Sequence, residues 1–183
     1  MVGASAPRRK YRPAHPASSP APSRAEIGTH DPPILPYNVR MEEWSIRREV
    51  VIDAPVDDVW QHVVVPERIS RWWCAGEPVR LAFKPQENGH FEEHYDDGSF
   101  AYDLTGRIEA VDPPHRLAIR RLTDRSPAPA DRVDISLHET RGRTHVVLTH
   151  TFESLPADRR EEMERYFADG WSSALAALRS ALV

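Results

Sequence analysis

The chain has 183 residues, a formal net charge of −4 and 28% charged residues. That length suits one domain with or without a tail, and that balance excludes a basic nucleic-acid binder. Cys74 is the single cysteine, so no intrachain disulfide can form; no apolar run reaches the ~18 residues of a membrane span, and the basic N-terminus lacks the apolar stretch of a signal peptide.

A cytoplasmic setting without membrane partners is therefore expected. Residues 1–40 differ from the rest: eight of the 17 prolines fall there, among Ala, Ser and Arg, with no apolar periodicity. Such a segment buries too little surface to offset its ordering entropy, so disorder is expected. The Pro13–Pro16 spacing is of the PxxP type, which a proline-rich tail produces by chance. Met41 directly precedes the first ordered-looking residues and is read as a candidate native start, with the folded domain spanning 41–183.

From Trp44, residues Ile46, Arg48, Val50 and Ile52 alternate with Arg47, Glu49 and Val51, as a strand with one better-buried face does. Pro55 opens a helix with Asp57 and Asp58 in its first turn and Val56, Val59, Trp60 and Val63 inward. Pro66 opens a second short helix, Glu67 to about Trp72. Strands follow at Val79–Phe83, Gly89–Asp96, Ser99–Val111, Arg116–Leu122, Arg132–Glu139 and Thr144–Phe152. Turns are marked by Asp96-Asp97-Gly98, Asp112-Pro113-Pro114 and Arg141-Gly142, and 124–131 reads as a loop. Phe100, Tyr102, Leu104 and Ile108 share one strand face. The last segment, Pro156–Val183, repeats Met163, Phe167, Trp171, Ala174, Leu178 and Ala181 at helical spacing, which predicts roughly 40 Å of helix with one apolar stripe. The expected fold is α+β: about seven antiparallel strands in a curved sheet, two short helices after the first strand, and a long C-terminal helix.

Three groups of residues resemble a known superfamily. Ile46-Arg-Arg-Glu-Val-Val-Ile-Asp-Ala-Pro-Val-Asp-Asp-Val-Trp60 is similar to the opening strand and helix of the SRPBCC (START/Bet v 1-like) proteins. Pro66-Glu-Arg-Ile-Ser-Arg-Trp-Trp73, the Gly-containing hairpins and Gly170-Trp171 narrow the likeness to the AHSA1-like branch, related to the C-terminal domain of the Hsp90 ATPase activator. The likeness covers Trp44–Val183. It implies a helix-grip fold with an apolar cavity between sheet and helix. It also implies a mixed set of activities: ligand carriers, polyketide cyclases, self-resistance proteins and a co-chaperone domain. Fold alone does not choose among them.

No metal or other cofactor is expected. His90 and His94 stand four apart on a strand, ~13 Å from each other, too far to share an ion, and no HExxH, GxSxG, Walker or GxGxxG motif occurs. Cys74 beside Trp73 reads as a packed residue. His150 shares its face with Leu148 and Phe152; it is either a hydrogen-bonded core histidine, or a polar contact or general base in a cavity, and is the one catalytic candidate. Glu93 shares a strand face with Phe91 and Tyr95 and is either a carboxylate pointing into the cavity or a charge near its open end, the rim being the preferred reading. Together His150, Glu93 and Tyr102 suffice for proton transfer if they meet. Of Trp72 and Trp73, one is expected in the core and the other at a cavity entrance. Gly170 is expected either to let the sheet approach the helix closely or to leave room for a ligand. The expected ligand-binding set is Trp73, Phe91, Glu93, Tyr102, Leu148 and His150 from the first part of the fold, with Met163, Phe167, Gly170, Trp171 and Ala174 from the last helix. The resulting expectation is a protein that binds a hydrophobic, lipid-like or polyketide-like small molecule, leaning away from an enzyme. The alternatives are a cyclase- or hydrolase-like enzyme using His150 and an Hsp90-associated interaction protein, and a homodimer is left open.

Overall fold

The structure, a computed structural model, describes residues 42–75, 77–99, 101–122, 131–155 and 160–182. The expectations for 1–40, Met41, Pro156, Phe100 and most of the 124–131 loop fall outside those residues. The elements are β1 (Glu42–Ile52), α1 (Val56–Val64), α2 (Pro66–Ile69), β2 (Val79–Phe83), β3 (His90–Asp96), β4 (Ala101–Asp112), β5 (Arg116–Leu122), β6 (Asp131–Thr140), β7 (Arg143–Leu155) and α3 (Arg160–Ser180).

The seven strands form one antiparallel sheet in the order β1-β7-β6-β5-β4-β3-β2. It is the expected α+β helix-grip fold: a curved sheet wrapped around a C-terminal helix, with two short helices after β1. Every neighbouring pair except β1–β7 is consecutive in sequence, so short turns suffice. Arg141 and Gly142 make the β6–β7 hairpin with φ of 55° and 73°, the left-handed pair that suits the strand twist. The second helix is shorter than expected. Pro66–Ile69 is helical, and Arg71, Trp72 and Trp73 continue through turns that bond back to Arg68 and Ile69.

Alternation along each strand sends one set of side chains under α3. Ile46, Leu81, Phe91, Leu104, Ile108, Ile119, Ile135 and Leu148 are all buried, and Ala174, Leu175 and Leu178 face them from the helix. A smaller cluster of Trp44, Ile46, Phe152 and Ala168 lies beside this core, with Trp44 stacked on Phe152 at 4.8 Å between ring centroids. Side-chain hydrogen bonds fasten the helices to the sheet. Arg48 donates to the Ala168 carbonyl and to Ser172 Oγ, which ties β1 to α3. The Val56 N–H donates to Glu139 Oε2 at 2.8 Å, so a carboxylate from β6 caps an α1 that has no side-chain cap of its own.

Gly106 lies in the middle of β4, opposite Arg121 of β5. A methyl group there would overlap the Arg120 carbonyl oxygen, an atom that cannot swing aside. Two residues on, the β4–β5 register shifts between Ile108 and Ala110, a bulge that bends the sheet around the helix. Gly106→Ala is expected to lower unfolding stability by about 1–3 kcal/mol, the range for overpacking. Chemical denaturation measures this, and an unchanged midpoint contradicts the close approach of β4 and β5.

Candidate functional site

The inner face of the sheet is apolar except for one charged band beneath α3. One row across the strands runs Phe91, Gly106, Arg121, Asp131, Phe152, set by the β3–β4, β4–β5, β5–β6 and β6–β7 registers. Glu93 and His150 stand one step off this row on β3 and β7. Their side chains close on one another. Arg121 Nε lies 3.3 Å from Asp131 Oδ1 and 3.9 Å from Glu93 Oε2, and His150 Nε2 lies 3.4 Å from Asp131 Oδ2. All four are buried or nearly so, with side-chain exposures of 2% for Glu93, 9% for Arg121, 12% for Asp131 and 0% for His150.

Indole and phenol groups bound this band. Trp73 Nε1 donates to Glu93 Oε2 at 3.1 Å and Tyr102 Oη donates to Glu93 Oε1 at 2.6 Å, so both carboxylate oxygens of Glu93 are occupied by donors. Trp171 Nε1 donates to His150 Nδ1 at 3.0 Å. An indole nitrogen can only donate, so Nδ1 carries the lone pair and the imidazole proton sits on Nε2, facing Asp131. Burial holds His150 below its ordinary value, against the pull of Asp131, and keeps the ring neutral. For Asp131 burial pushes the other way, but Arg121 and His150 outweigh it and hold the carboxyl below its ordinary value. Burial opposes the charge on Arg121, while Asp131 and Glu93 raise its pKa and keep it cationic.

The band is incompletely satisfied. Arg121 Nε and Asp131 Oδ1 face each other, and His150 Nε2 faces Asp131 Oδ2, at ion-pair distances without a hydrogen bond of acceptable geometry; Arg132 Nε on the outer face and Trp44 Nε1 are likewise buried without one. Orphaned buried polar atoms are uncommon in folded proteins, and here three from adjacent strands converge.

The expected site residues are only partly brought together. Glu93 is interior rather than at a rim, because its carboxylate is held by Trp73 and Tyr102 and faces Arg121. Tyr102 meets Glu93, but His150 reaches Glu93 only through Asp131 and Arg121. Both members of the tryptophan pair are core: Trp72 and Trp73 are 1% and 2% exposed, and Trp72 Nε1 donates to the His62 carbonyl. Phe91, Leu148 and Ala174 are fully buried, and Trp171 meets Trp73 edge-on at 5.0 Å. Phe167 packs against His150 and Phe152, with Met163 beside it in the smaller cluster. The residues expected to line a cavity are thus packed on one another, since aromatic rings from both layers fill the space between sheet and helix. The two leading concavities among the described residues are open grooves of about 210 and 260 Å³, and no expected site residue lines either. Gly170 fits neither reading. It is exposed, and a Cβ there would have nothing within 4 Å.

Arg121 and Asp131 are the residues of the charged band that sequence reasoning missed. Arg121 shares its parity with Leu117 and Ile119, and an arginine on an apolar strand face is a readable signal of a buried charge. Asp131 was assigned to a loop, yet it is the first residue of β6. Cys74 is a half-buried thiol, pushed up to about 12 mainly by burial, which disfavours the thiolate. His90 and His94 pair separately with Glu92 and Asp103. Among the described residues no group of three or more side chains could hold a metal, and no helix is long and apolar enough to cross a membrane.

Residues 53–183 match the family described as Activator of Hsp90 ATPase homolog 1-like protein. No curated protein matches the chain. Among solved structures, CalU16 from Micromonospora echinospora is 30% identical with a TM-score of 0.55, covering 73% of each chain. Ms6760 from Mycobacterium smegmatis is 19% identical with a TM-score of 0.64, covering 76% of this chain and 90% of that one. DynU16, a protein in the dynemicin biosynthetic locus, is 21% identical with a TM-score of 0.58, covering 75% of this chain and 46% of that one. The last two likenesses carry the fold alone.

The His150 geometry has a spectroscopic consequence. Its stabilising contribution is fully present above the ordinary value of 6.5 and is lost as pH falls from there toward its lower folded value. Nitrogen-15 NMR of the imidazole is expected to show the Nε2–H tautomer, with protonation setting in at lower pH than for an ordinary histidine. Protonation at or above the ordinary value, or the Nδ1–H tautomer, contradicts the buried Trp171 hydrogen bond.

Proposed function

The chain belongs to the Activator of Hsp90 ATPase homolog 1-like family, and on that footing we propose that it is a cyclase-like protein, binding a hydrophobic, enolisable carbonyl compound against the charged band and promoting its ring closure. The observation that carries this reading is the convergence of three unsatisfied buried atoms, two donors (Arg121 Nε, His150 Nε2) and one acceptor (Asp131 Oδ1). A substrate carbonyl oxygen accepts from Arg121 and His150. Asp131 takes the neighbouring α-proton, and the enolate charge that develops falls on an oxygen already facing two donors. The enolate carbon then attacks a second carbonyl of the same molecule, forming the ring bond, and the new alkoxide recovers the proton from Asp131. His150 acts in this scheme as a donor and not as the general base, because its lone pair is committed to Trp171.

Natural-product biosynthesis is the setting to test first, since DynU16 is described as lying in the dynemicin biosynthetic locus. Entry of a substrate requires the Phe167–Trp171 face of α3 to draw back from the sheet. A second reading, a carrier that binds without turnover, is favoured by that same closed packing and by the capped His150. An Hsp90 role rests on the family description alone.

A linear triketide thioester mimic provides the test. The protein is expected to speed its cyclisation, with Asp131→Asn losing about 10²-fold or more and Arg121→Gln a similar amount. His150→Gln, which keeps an N–H donor, is expected to retain more activity than His150→Leu. Binding of the mimic with no acceleration selects the carrier. Equal rates for wild type and the Asp131 variant reject the catalytic scheme.

A further inference from the structure

The charge and hydrogen-bonding pattern of the band select one kind of polar group. Both Glu93 oxygens are engaged by donors, the pattern of an ionised carboxylate. Among the described residues Asp131 is the second anion and Arg121 the one cation facing them, and the His150 ring is neutral. The band therefore carries one net negative charge, sealed among Trp73, Phe91 and Trp171. Three of its atoms, the acceptor Asp131 Oδ1 and the donors Arg121 Nε and His150 Nε2, make ion-pair contacts but no hydrogen bond of acceptable geometry.

Ligand groups satisfy those atoms unequally. A carboxylate or phosphate would add a second net negative charge opposite Asp131 and Glu93 in a poorly hydrated site. A ketone satisfies the two donors and leaves Asp131 Oδ1 unpaired, and an ammonium group does the reverse. A hydroxyl donates to Asp131 Oδ1 and accepts from His150 Nε2 and Arg121 Nε with its two lone pairs, so all three are met at no net charge. We infer that the group this band recognises is a neutral enol or phenol hydroxyl on an aromatic or polyene-like body, and that carboxylate- and phosphate-bearing molecules are turned away. The inference rests on the band being the substrate site. It adds which substrates enter: the enol form of a dicarbonyl compound and phenolic ring products are accepted, and free acids are not.

Calorimetry of the full chain with 2-naphthol and 2-naphthoate, which share one ring body, separates the two ideas. The expected result is 2-naphthol bound at least about tenfold more tightly than 2-naphthoate, with the His150 Nε2–H NMR signal shifting on naphthol addition. In Asp131→Asn, which removes one negative charge and keeps an acceptor, the preference is expected to narrow by about tenfold or to invert. Circular dichroism confirms the fold of the variant. Where the variant does not fold, the wild-type ratio and the His150 signal decide alone. If 2-naphthoate binds as well as 2-naphthol and shifts the His150 signal, the hydroxyl preference is overturned while the band remains a binding site. If neither compound binds, or both bind without touching the His150 signal, the band is not the site and both readings fall.

Discussion

A guanidinium sealed between a sheet and a helix demands compensation, and the interior of this domain is arranged around that demand. Arg121 is 9% exposed and keeps its charge at all ordinary pH. The attraction must come from fixed anions within a few ångströms, because little water remains to screen or solvate it. Asp131 supplies it from the neighbouring strand and Glu93 from two strands away. These two carboxylates then need donors of their own. Trp73 and Tyr102 serve Glu93, so the placement of the segment after α2 is coupled to the charge on β5. His150 completes the band on the far side, held neutral and oriented by Trp171 of α3. Through these bonds a single buried cation is linked to β3, β4, β6, β7 and the C-terminal helix.

The outer face of the same sheet makes a useful contrast. Arg116, Arg120 and Arg132 pair there across strands with Glu109 and Asp134, Arg107 pairs with Glu109 along β4, and Arg116 grips Asp134 through two nitrogens. These pairs are partly exposed, where each is worth little and salt weakens it. The inner band has the same residue types at a far higher cost of desolvation.

Much of the architecture was readable from local rules. Pro55 and Pro66 mark helix starts, Arg141-Gly142 marks a hairpin, and alternation from Ile46 to Ile52 or Val146 to Phe152 assigns a face, since each depends only on neighbouring residues. The parity of His150 was legible for the same reason. What it touches was not, because the Trp171 and Asp131 contacts depend on strand register and on the rotation of α3. Glu93 was misplaced because a carboxylate between apolar neighbours reads as a rim residue until its donors are known. Asp131 was hidden by its position at a strand end after a Pro-rich stretch. Gly170 invited explanations involving the sheet, yet it lies on the solvent side of its helix. Whether aromatic side chains enclose a cavity or fill it is a matter of volume, and periodicity carries no information about volume.

The central claim is that the Arg121–Asp131 pair is kept for ligand recognition rather than for folding. Thermal unfolding of the triple variant Arg121→Met/Asp131→Leu/Glu93→Gln, beside each single variant, tests it most directly. The account predicts that Arg121→Met or Asp131→Leu alone costs about 3–5 kcal/mol by stranding a buried charge, while the triple variant, which strands none, melts within a few degrees of wild type or above it. A triple variant as unstable as the singles combined would contradict it, and would make the charged band a structural necessity of the fold.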